Sequence, residues 1–125
     1  MSSAADEARG ASHAWTRSAM VLGVLMVAIV GGAVGWGFAR GGGMAAVREL
    51  MQAPWFVVSL IDVYAGFILV VGWIAIREPA WWRTILWGVL VLTLGNVITG
   101  VYLIAAAAGA SGDLRRFMLG ARARS

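Results

Sequence analysis

The sequence has no cysteine, no lysine, one histidine and only two prolines in 125 residues. Without cysteine there is no disulfide, no thiolate-held metal and no thiol catalysis, and the redox compartment leaves no mark on the chain. Charge is scarce as well. Charged residues make up 13% of the chain and hydrophobic residues 61%, against about 25% and 45–50% in a soluble domain. A chain this short buries only about two-thirds of its unfolded surface, so one small core cannot hide the excess. A lipid bilayer is the solvent that fits. The composition excludes a soluble enzyme, a disordered chain and a disulfide scaffold.

All ten basic residues are arginines, and the isoelectric point is near 11.1. They stand in short flanks between apolar runs. No basic face interleaved with aromatics could track phosphates, so nucleic acid is not expected as a partner. His13 has no second ligand at metal-binding spacing, and neither a metal nor a cofactor is expected. The glycines at 31, 32, 35, 37 and 41–43 follow no strand and precede no Gly-Lys-Ser/Thr, which excludes a nucleotide loop.

What the chain does have is long uncharged runs. Residues 18–39 and 84–112 carry no charge, and residues 54–76 carry only Asp62. A helix needs about 20 apolar residues to cross a hydrocarbon core of about 30 Å. The expected fold is therefore all-α and integral to a membrane, with three transmembrane helices at roughly 18–39, 54–76 and 82–108. A polar N-terminal tail over 1–17 precedes this 18–108 domain, and an Arg-rich tail over 109–125 follows it. Asp6 and Glu7 in the leader, and an apolar core too long for a signal peptide, argue for a true first span.

The connections are short. Gly41, Gly42 and Gly43 end the first helix. Met44, Val47, Leu50 and Met51 then alternate with Arg48 and Glu49 in the pattern of a short interfacial helix. Pro54 suits the first position of helix two. Pro79 restricts the residue before it and stops that helix, so helices two and three should form an antiparallel hairpin. Trp15, Trp36, Trp55, Trp73, Trp81 and Trp82 fall near span ends, as interfacial anchors do. Three crossings put Arg9, Arg17, Arg77 and Arg83 on one side and Arg40, Arg48, Arg115, Arg116, Arg122 and Arg124 on the other. That balance favours a multi-pass protein of the cell (inner) membrane with a cytoplasmic C-terminus.

Few residues carry chemistry. Asp62 lies about 12 Å into helix two, where a carboxylate costs several kcal/mol unless paired or neutralised. Ser59 shares its face, and Asn96, Thr99 and Tyr102 of helix three are expected near its depth. This intramembrane polar cluster reads either as an interhelical clasp or as a site in which Asp62 carries a proton, acts as an acid or touches a ligand. Arg77, Glu78 and Arg83 read as membrane-edge charges. Gly31, Gly35, Gly88 and Gly95 mark faces where helices can approach closely.

Pro54-Trp55-Phe56, Asp62-Val-Tyr64-Ala-Gly-Phe67, Trp73, Arg77-Glu78, Trp87, Leu94-Gly95-Asn96 and Tyr102 resemble a family of small plant and bacterial membrane proteins of unknown function. The resemblance covers about residues 50–105. It implies a helical-hairpin core and a basic–acidic pair closing helix two, with Arg77 where Lys is common, and it implies no activity. The Gly-rich first span and the Arg-rich tail are where members are expected to differ.

Two classes of function remain. One is a structural or accessory membrane subunit that packs against a larger complex or against itself, with lipid and a protein partner or homo-oligomer as its surroundings. The other is a membrane-embedded catalyst or carrier for a lipid-like or prenyl substrate, built on Asp62. No recognisable catalytic motif supports the second.

Overall fold

Residues 2–124 are described by a computed structural model. Helix α1 runs from Ser2 to Arg40, so the segment 2–17 is helical and continuous with the apolar run. Helix α2 (Gly43–Leu50) is short and amphipathic and buries none of its residues. Helix α3 (Pro54–Arg77) opens with Pro54 in its first turn and closes at Glu78, whose backbone is extended ahead of Pro79. Helix α4 (Trp81–Leu94), helix α5 (Asn96–Ala110), helix α6 (Leu114–Leu119) and a 3-10 helix over Gly120–Arg124 complete the chain.

The fold is all-α, but the expected third transmembrane helix over 82–108 does not exist. Among the described residues, two helices are long and apolar enough to cross a membrane, Ser3–Arg40 and Pro54–Arg77. The third run is cut by Gly95, at φ 65° and ψ −141°. A side chain is strongly disfavoured in that conformation, whereas glycine adopts it freely. The ring of Phe67 also packs where a β-carbon would stand, with Cζ 3.1 Å from that position. The chain reverses here. Trp87, eight residues before Gly95, meets Tyr102, seven after it, with ring centroids 4.9 Å apart. Helices α4 and α5 therefore form an antiparallel hairpin. Each arm is about 21–23 Å long, too short for a 30 Å hydrocarbon core.

The reversal moves the C-terminal segment. α5 returns to the level at which α3 ended and α4 began, and it lies antiparallel along α1. Ser12 Oγ donates to the carbonyl of Gly112 at 2.6 Å and accepts from the backbone N–H of Leu114 at 2.6 Å. The N-terminal and C-terminal segments, expected at opposite ends of three spans, thus share one end, here called the base. The α1–α5 contact is tightest at Gly23 and Gly100, where a β-carbon on either would stand 2.8 Å from the other's carbonyl oxygen.

The core sits between the hairpin and the base. It comprises Phe67 and Ile74 of α3, Val91 of α4, Tyr102, Ala106, Ala107 and Ala110 of α5, and Phe117 of α6. α1 and α3 extend well past the hairpin tip. There Trp36, Phe38, Trp55 and Ile61 are exposed, and Gly31 and Gly35 meet nothing within 4 Å.

Candidate functional site

The base holds the polar chemistry of the molecule. Pro79 forces the chain out of helix after Glu78, whose backbone N–H still donates to the Ile74 carbonyl at 2.8 Å. This leaves the Glu78 side chain between the end of α3, the start of α4 and the returning α5. Tyr102, only 2% exposed, donates its hydroxyl to Glu78 Oε1 at 2.8 Å. Arg83, one turn into α4, places Nε 3.2 Å from Glu78 Oε2. Both carboxylate oxygens are thus engaged, one by a neutral donor and one by a cation. That is the condition under which a buried carboxylate is tolerated.

Arg77 ties three elements together. Its Nε donates to the Phe117 carbonyl at 2.9 Å and its Nη2 to the Ala106 carbonyl at 3.4 Å. Its guanidinium carbon lies 6.0 Å from the ring centre of Trp73 and 5.6 Å from that of Tyr102, within the range of cation–π attraction. Trp73 Nε1 donates to the Met118 carbonyl at 3.2 Å. Together Arg77 and Trp73 satisfy carbonyls at the end of α6 that no helical N–H reaches. α6 itself starts on Asp113, whose Oδ1 accepts from the backbone N–H groups of Arg115 and Arg116 at 2.8 and 3.4 Å. The Arg-rich tail is thus folded back onto α3 and α5.

This packing leaves a cavity of about 440 Å³ at the base, lined by Arg77, Glu78, Arg83, Trp87, Tyr102, Arg116 and Arg124 together with small residues of α5 and the 3-10 helix. Four guanidinium groups face one carboxylate there, and that carboxylate is already committed. Arg77, Glu78 and Arg83, read from sequence as separate membrane-edge charges, converge in this one network. Sequence reasoning did not bring Tyr102, Arg116 and Arg124 to them, because the convergence depends on the reversal at Gly95. Gly95 is one of five glycines in the run over 84–112, and nothing in the local sequence sets it apart.

The polar residues grouped around Asp62 from sequence are dispersed. Asp62 is exposed on α3 and has no hydrogen bond or ion pair among the described residues. Ser59 donates back to the Trp55 carbonyl at 2.9 Å. Asn96 is half-buried at the start of α5, and the Thr99 hydroxyl lies 3.5 Å from the Gly95 carbonyl of its own turn. Tyr102 has gone to Glu78. Tyr64 donates to the Leu92 carbonyl near the hairpin tip at 3.4 Å. Of the four glycines, Gly88 packs on Val71 and Gly95 on Phe67, while Gly31 and Gly35 face open space. Trp81 and Trp82 are exposed at the base.

No curated protein and no solved structure matches the chain. A family model does match, over residues 9–113, which takes in the first apolar helix as well as the segment that carried the resemblance. The chain accordingly belongs to the family described as "Protein of unknown function (DUF1475)".

Proposed function

We propose that this is a small membrane protein that acts by association, an accessory component that packs within the bilayer against another membrane protein or a second copy of itself. In this reading α1 and α3 cross the membrane, and the α4–α5 hairpin enters from the base and leaves by the same side. Apolar helices of 14 and 15 residues suit such a re-entrant path. Non-helical backbone at that depth must be covered and satisfied by protein. Phe67 against Gly95, Tyr64 on the Leu92 carbonyl and the Gly95 N–H on the Val91 carbonyl at 2.8 Å supply that cover.

The distribution of arginine supports an orientation. Arg9, Arg17, Arg77, Arg83, Arg115, Arg116, Arg122 and Arg124 belong to the base end, and only Arg40 and Arg48 to the other. By the positive-inside rule both termini then face the cytoplasm. The margin is far wider than three crossings would give.

The observation that carries the accessory reading is Asp62. A carboxyl about 12 Å into an apolar span, turned outward and without a partner among the described residues, has to be neutralised or find a hydrogen-bonding group on a neighbour. Gly66 lies one turn further on that face with open space beside it, which admits close approach of another helix. At the base, by contrast, the buried carboxylate Glu78 is already held by Tyr102 and Arg83.

The test is association of the full chain in lipid. Energy transfer between labelled copies in proteoliposomes reads self-association. Mass spectrometry of proteins that co-purify in mild detergent reads a different partner. Asp62→Leu and Gly66→Leu are expected to abolish one of these signals, and Asp62→Asn, which keeps a hydrogen-bonding group, to retain most of it. Both signals unchanged in the Leu variants would refute the reading.

A further inference from the structure

We propose that the base cavity is a binding site for a phosphate group carried on an amphiphile, with Arg116 and Arg124 as its principal ligands. The argument begins with the charge balance. Arg77, Arg83, Arg116 and Arg124 line the cavity against the single carboxylate Glu78, and Glu78 is taken by Tyr102 and Arg83. Arg77 has committed Nε and Nη2 to backbone carbonyls, which fixes its guanidinium in place and leaves Nη1 available. The side chains of Arg116 and Arg124 have no ion pair or hydrogen bond among the described residues. Clustered guanidinium groups repel one another unless an anion joins them. The planar fork of arginine matches the oxygens of phosphate.

Three further features define the ligand. The cavity volume, about 440 Å³, lies within the range of roughly 300–1,000 Å³ typical of small-molecule sites. Its other wall is apolar, built from Trp87 and from Ala105, Ala106 and Gly109 of α5, so a phosphate with an uncharged or fatty stem fits better than a free polyanion. The site also sits at the end where Trp81 and Trp82 are exposed, the depth at which amphipathic aromatics meet lipid headgroups. A phospholipid headgroup or a soluble phosphate ester both present this chemistry. The proposal is independent of Asp62 and of any association through α3.

The experiment uses the full chain released from nanodiscs of phosphatidylcholine with or without phosphatidylglycerol, read by native mass spectrometry for retained lipid. Thermal unfolding in detergent with inorganic phosphate or glycerol 3-phosphate forms a second arm. Preferential retention of phosphatidylglycerol assigns the site to lipid. A rise in unfolding temperature with glycerol 3-phosphate, without lipid preference, assigns it to a soluble ester. In either case Arg116→Gln with Arg124→Gln is expected to weaken the signal by about tenfold or more, since one charge-assisted hydrogen bond corresponds to roughly a factor of ten. Neither substitution removes a contact that holds the fold. Arg40→Gln with Arg48→Gln, at the opposite end, should leave the signal unchanged. Retention of neither lipid with no effect of either phosphate, or a signal that survives loss of Arg116 and Arg124, would overturn the proposal.

Discussion

Trp87 and Tyr102 stand edge-to-face with their ring centres 4.9 Å apart, although an unbroken helix would separate them by about 22 Å along its axis. Gly95 lies between them and reverses the chain. The contact carries the rest of the architecture with it. It brings Tyr102 to Glu78, α5 to α1, and the C-terminal arginines to the base.

Gly95→Ala is expected to destabilise the protein by about 1–3 kcal/mol, the cost of holding a side-chain-bearing residue in a glycine-only conformation. The ring of Phe67 adds a steric conflict. Reversible unfolding in mixed micelles measures the cost. Gly72→Ala, in open space on α3, is the control and should change little.

Tyr102→Phe removes the donor to Glu78 Oε1 and leaves a buried carboxylate oxygen unsatisfied. A loss of about 1–3 kcal/mol is expected. Tyr64→Phe removes a longer bond, 3.4 Å, to the Leu92 carbonyl. It should cost about 0.6 kcal/mol, the average for hydrogen bonds between helices in lipid. Equal effects of the two substitutions would mean that the Glu78 network is not the stronger one.

The α1–α5 contact predicts a third contrast. A β-carbon at Gly100 would stand 2.8 Å from the Gly23 carbonyl oxygen, whereas one at Gly31 meets nothing. Gly100→Ala should therefore cost about 1–3 kcal/mol through overpacking against backbone, and Gly31→Ala should be neutral. The same unfolding measurement separates them.

The parts of this fold that local rules control were legible in the sequence. Pro54 and Pro79 bound α3 because proline acts on its own and the preceding residue. The spacing of Met44, Val47 and Leu50 marks α2 in the same way. Gly95 was not legible as a reversal, because an isolated glycine inside an apolar run is as compatible with a continuous helix as with a break. Its φ is 65° and the ring of Phe67 packs against it across the α3–α4 interface, which is tertiary information. The candidate site followed the same division. Arg77, Glu78 and Arg83 were visible as charges flanking Pro79, whereas Tyr102 was assigned to the depth of Asp62 by counting along a straight helix. Arg116 and Arg124 were placed on the far side for the same reason.

The number of crossings is decided most directly by the sides on which three positions lie. The chain has no cysteine, so Ser3→Cys, Met44→Cys and Ala121→Cys each provide a single reactive group at an exposed position. A membrane-impermeant maleimide applied to vesicles of known orientation labels whichever positions face outward. Two spanning helices with a re-entrant hairpin predict that residues 3 and 121 react from the same side, the cytoplasmic one, and residue 44 from the other. Residue 121 reacting with residue 44, opposite to residue 3, would restore a third crossing and contradict the account.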